Sequence, residues 1–87
     1  MNKTVTINIS GIIFHIEEDA FDKLSKYIST IRGYFSKADG GNEIMSDIEA
    51  RIAEMLQSKT SAIKQVVLMS DVDFVMDSMG KPEEFAG

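Results

Sequence analysis

Residues 4–17, TVTINISGIIFHIE, leave little freedom in how they fold. Val5, Ile7 and Ile9 alternate with Thr4, Thr6 and Asn8, the period of a strand with one buried face. Ser10-Gly11 then offers a two-residue turn in which glycine takes a positive φ. A hairpin closed there sets Ile9 opposite Ile12, Ile7 opposite Phe14 and Val5 opposite Ile16, with all six on one face. A slip of one residue would turn one strand's apolar set outward, so a single register serves both strands. The hairpin is expected over 3–17, with His15 beside Thr6 on the face away from the core.

At EEDAF the period changes from two to 3.6, and a helix is expected over 19–36. Asp19 is the expected N-cap, with Asp22 in a weak capping-box position. Phe21, Leu24, Ile28, Ile31 and Phe35 form its apolar stripe, widened by Tyr27 and Tyr34. Asp19–Lys23 and Asp22–Lys26 have the spacing of favourable i,i+4 pairs. Gly33 inside this pattern marks either fraying or a close packing contact. SKADGGN reads as a loop. A second helix is expected over 42–58, burying Ile44, Ile48, Ile52, Met55 and Leu56 and pairing Asp47 with Arg51 on its surface. After the connector KTSAIK, the β-branched QVVLM suggests a strand over 65–69. SDVD opens a last helix over 70–79, with Ser70 as N-cap and Asp73 in the box position. Gly80 caps that helix and Pro82 stops it.

The order β-β-α-α-β-α predicts a small α+β domain, a three-stranded sheet with helices packed on one face. Eighty-seven residues suffice for one such unit. No cysteine is present to staple it, so the core must supply the stability. The first residues lack the unbroken apolar run of a signal peptide, and nothing approaches the length of a membrane span. A cytoplasmic setting is expected. With a net charge of −5 and nine scattered basic residues, direct binding to nucleic acid is not expected.

The side chains that carry chemistry are sparse. His15 is the only histidine and there is no cysteine, so a zinc site lacks a ligand set. Asp71, Asp73 and Asp77 suggest calcium at first. Counted from Asp71, however, an EF-hand loop would place Val75, Met76 and Pro82 at its fifth, sixth and twelfth positions, where oxygen, glycine and glutamate are needed. Glu43, Asp47, Glu49 and Glu54 fall on the polar side of a helix. DGGN lacks the pattern of a phosphate cradle. No enzyme, cofactor, metal or small-molecule ligand is expected. The methionines read either as adaptable core or as a permissive binding surface. QVVLM is apolar on both faces. A sheet covered on one side only would leave part of it exposed with Ile13, and Ile13, His15, Val67 and Met69 form the candidate interaction surface.

ISGIIFHIEEDAFDKLSKYISTIRGYF, EIMSDIEARIAEML and QVVLMSDVDFVMDSMGKPEEF together resemble the N-terminal domain of PspC-type (phage shock protein C) proteins of Bacteroidetes. The resemblance spans nearly the whole chain in the same order. IEEDAF-x-x-L, DIE-x-RIAE and MGKPEEF are its most specific pieces. It implies a soluble segment preceding membrane helices, in a parent protein of the inner membrane that acts in envelope-stress signalling and is described as a transcriptional regulator. It supplies no catalytic residues. On this reading the 87 residues are one domain cut from a longer protein, membrane-associated only through segments beyond them, and working through a protein partner or self-association. The alternative is a stand-alone soluble transcriptional regulator or adaptor acting as a small oligomer.

Overall fold

The computed structural model describes residues 3–86. Its elements are β1 (Thr4–Ile9), β2 (Ile12–Glu17), α1 (Glu18–Phe35), α2 (Gly41–Ser58), β3 (Val66–Val67), α3 (Met69–Met79) and α4 (Pro82–Ala86). The strands form one mixed sheet in the order β1-β2-β3, with β2 in the centre. The fold is a small α+β unit with helices packed on one face of the sheet.

β1 and β2 pair antiparallel in the register the alternation dictates, Val5 with Ile16, Ile7 with Phe14 and Ile9 with Ile12. Ser10 and Gly11 both have positive φ, 54° and 85°, the backbone of a turn whose twist matches its flanking strands. The Asn8 side chain steadies it by accepting the Gly11 N–H at 2.9 Å. β3 runs parallel to β2, with His15 opposite Val66 and Ile16 opposite Val67. Such a pairing needs a long crossover, and α1 and α2 provide it.

The helices depart from the sequence expectation in several ways. α1 begins at Glu18 with Glu17 in the N-cap position, and Asp19 lies within the first turn, where its carboxylate accepts the Ala20 N–H at 2.8 Å. The strand runs into the helix without a loop, and the Glu18 N–H is taken up by the Lys3 carbonyl at 2.7 Å. The fully buried stripe is Ala20, Leu24, Tyr27 and Ile31. Phe21, Ile28 and Phe35 flank it half-buried, and Tyr34 is exposed. In α2 the core residues are Met45, Ile48, Ile52, Ala53 and Leu56, while Ile44 is exposed. Both differences turn the buried stripe by only about half a residue's angle (roughly 50°), so Leu24, Ile31, Ile48, Ile52 and Leu56 stay inside. Asp47 and Arg51 do pair, at 3.7 Å.

The third strand is shorter than 65–69. Leu68 gives its N–H to the Asp71 carboxylate at 2.9 Å, and the chain enters α3 at Met69. Ser70 is therefore exposed inside the first turn rather than capping it. Asp71, not Asp73, makes the reciprocal contact, since its own N–H donates to the Leu68 carbonyl at 3.0 Å. α3 ends at Met79 with Gly80 as its C-cap, as expected, and Pro82 then opens a further helix, α4. Proline suits a first helical position because its missing N–H has no partner there, and Glu83 and Glu84 in the same turn favour the helix dipole. α4 packs on α1, with Phe85 against the core.

Candidate functional site

The sheet has helices on one side, and its other face carries Thr4, Thr6, Asn8, Ile13, His15 and Val66. This follows from the period of two, because Val5, Ile7, Ile9, Phe14 and Ile16 all point inward. Ile13 is 58% exposed and Val66 half-buried on this open face. His15 lies between Thr6 and Val66 in the register. Its Nδ1 is 3.1 Å from the Thr6 hydroxyl.

The four residues of the expected surface do not stay together. Val67 is fully buried, because it stands opposite Ile16 on the inner face. Met69 belongs to α3 and packs, partly buried, against the core. Ile13 and His15 remain on the open face, and Val66, one residue before Val67, takes the outward place that the sequence reading gave to its neighbour. Alternation fixes that two successive residues face opposite ways, but an all-apolar pair does not say which faces in. Met55, Met76 and Met79 likewise lie partly buried around the core, and Met45 within it.

Ile63, at 99% exposure the most open large apolar side chain among the described residues, lies outside the surface the sequence predicts. It sits in the connector between α2 and β3. Ser61 orders this loop: its hydroxyl accepts the N–H groups of Ile63 and Lys64 at 3.2 and 3.0 Å, and its N–H donates to the Lys64 carbonyl at 2.7 Å. The sequence signal was a single isoleucine in a polar connector, which hydrophobic periodicity does not register.

Beside β1 a second feature appears, a groove of about 190 Å³ between the strand's free edge and α1. Ile7, Phe21, Ser25 and Ile28 line it, and Arg32, paired with Glu49 of α2 at 3.0 Å, closes one end. Val5, Ile7, Phe21 and Ile28 are all only half-buried, because β1 is the edge strand and none of the described residues forms a strand on its outer side.

On the opposite side Lys64 carries the main electrostatic contact. Its Nζ donates to the Asp71 carboxylate and to the Lys59 carbonyl, the latter at 2.9 Å. Asp71, at 7% exposure, is the one buried charged residue among those described. Lys59 in turn places its Nζ 3.9 Å from the centre of the Phe74 ring. These contacts fasten the connector to α3, and every acceptor in them has a donor.

The fold and its open surfaces define a small α+β unit with one bare sheet face and, at β1, a six-residue strand edge without a described strand partner. No family model matches the chain, and searches of curated proteins and of solved structures find no match either.

Proposed function

We propose that this chain is a non-enzymatic protein-interaction and sensor domain of a membrane-anchored, phage-shock-type stress regulator, facing the cytoplasm. The observation that carries the interaction reading is the uncovered sheet face, where Ile13 stands 58% exposed beside half-buried Val66. An apolar residue costs free energy in water in proportion to its exposed area, and a protein partner laid on this face recovers that cost. The ordered loop that holds Ile63 in solvent offers a second apolar anchor. The parent protein's identity rests on the resemblance to PspC-type N-terminal domains. No helix among the described residues is long and apolar enough to cross a membrane, so on this reading other segments of the parent supply the anchor.

A photo-crosslinking residue placed at Ile13 in the source cells tests the proposal. One defined adduct with a regulatory protein is expected at Ile13, with none at Asp47 on the solvated side of α2 and none when Val66→Lys is added. An absence of adducts at both Ile13 and Ile63 rejects the reading.

A further inference from the structure

We infer that a second copy of this chain docks on the free edge of β1 in antiparallel register about a two-fold axis at Thr6, joining the two sheets. The inference rests on the interaction reading only in treating the chain as a protein-binding domain, since a different surface carries it.

The two-residue turn makes Ile9 and Ile12 a hydrogen-bonded pair, and such pairs recur at every second residue. The backbone N–H and C=O groups of Val5, Ile7 and Ile9 therefore point to β2. Those of Thr4, Thr6 and Asn8 point outward from the sheet edge. Lys3 obeys the same parity, with its carbonyl turned inward to accept the Glu18 N–H at 2.7 Å. Proteins usually protect such an edge with a charge, a proline or a bulge. From Thr4 to Ile9 there is none of these, in a chain whose net charge is −5.

A two-fold at Thr6 sets Thr6 against Thr6 of the second copy, and Thr4 against its Asn8. These are the residues with outward-facing backbone groups, so the pairing satisfies them. It also brings Val5 of each copy opposite Ile7 of the other on the helix side, over the half-buried Phe21 and Ile28.

Charge selects a second copy over an unrelated strand. α1 starts beside Lys3 and passes Ile9 at Arg32, which shares the groove with it. With ~1.5 Å per helical residue against ~3.3 Å per strand residue, Ser25 stands level with Thr6. The two-fold therefore faces Glu18 of each copy toward Arg32 of the other, with the small Ser25 and Ser29 between. Glu18 is exposed, and the Arg32 side chain is 54% exposed despite its bond to Glu49. Any extended peptide satisfies the edge, but an antiparallel copy supplies both opposite charges at both levels.

The 87-residue chain is tested by sedimentation equilibrium together with far-UV circular dichroism. The expected mass is twice 9.7 kDa. Thr6→Pro removes an outward donor and leaves the β1–β2 ladder intact, and Thr6→Lys puts like charges face to face across the axis. Each raises the dimer dissociation constant by about tenfold or more with an unchanged spectrum. Glu18→Arg weakens the dimer, and Glu18→Arg with Arg32→Glu restores it. A monomeric parent chain overturns the inference, as does a dimer that survives both Thr6 substitutions. Failure of the double reversal overturns this register. Crosslinking at Ile13 in the Glu18→Arg background, which leaves the open face untouched, reports on the open-face reading separately, so either can fail while the other stands.

Discussion

The Tyr27 hydroxyl donates to the Gly80 carbonyl at 2.5 Å, a bond between residues 53 apart in the chain. Tyr27 comes from the buried stripe of α1, and Gly80 follows the last residue of α3. Gly80 takes φ 97°, and its N–H bonds the Met76 carbonyl at 2.9 Å. The bond thus ties the first helix to the corner from which α4 departs.

Tyr27→Phe is expected to cost about 1 kcal/mol, since it removes the bond and keeps the ring. The phenol also carries a pH signature. Burial, and then the nearby Glu84 carboxylate, raise its pKa above the ordinary 10.0. The unfolded chain thus loses this proton at a lower pH than the folded one. Its contribution is fully present below pH 10 and is lost as pH rises through the raised value. Urea denaturation in alkaline buffers should show that decline in the parent chain and a shallower one in Tyr27→Phe.

Two helical glycines are expected to respond in opposite directions. Gly33 is exposed inside α1, and a Cβ there meets nothing within 4 Å. Of the two readings its position suggested, a close packing contact is therefore excluded. Gly33→Ala should stabilise by up to about 1 kcal/mol. Gly41 is buried, and its Cβ would run into the Phe35 carbonyl. Gly41→Ala should destabilise by roughly 1–3 kcal/mol through forced backbone movement. Thermal melts of both variants check the signs.

The two lysine–aspartate pairs that meet α3 differ in burial, and their values should differ accordingly. Lys23 and Asp73 pair at 2.5 Å, but each is nearly half exposed, so Asp73→Asn should cost less than about 1 kcal/mol. Asp71 is buried, and it accepts from both Lys64 and the Leu68 N–H. Asp71→Ala strands that N–H and should cost roughly 1–3 kcal/mol. Chemical denaturation of the two variants side by side gives the comparison.

Val67 and Ile13 separate core from surface within what the sequence alone presents as one patch. Val67→Ala should cost about 2 kcal/mol, from lost transfer energy and the cavity left behind. Ile13→Lys should change stability by less than about 0.5 kcal/mol, because the side chain already stands in water. Equal losses in the two variants would show that Ile13 is packed.

The hairpin, its register and its turn are legible in the residues alone, because alternation on both sides of Ser10-Gly11 admits one pairing. So are the first three helices and their order, since the change of period after Glu17 and the loop at SKADGGN are local signals. These features yielded the α+β class and the outward side of His15 and Ile13. The remainder depends on contacts between elements distant in the chain. Which face of an all-apolar pair is buried depends on the neighbouring strand, and β2 turns Val67 in and leaves Val66 half out. The rotation of α1 that buries Ala20 and Tyr27 and exposes Tyr34 depends on what α3 and α4 place against it. Asp71 and Lys64 are ordinary surface residues until the connector folds back on α3. α4 forms where Pro82 reads as an ending, because Phe85 has a core to pack on. The free edge of β1 is likewise invisible in sequence, since strand order comes from a crossover that brings β3 to the far side of β2.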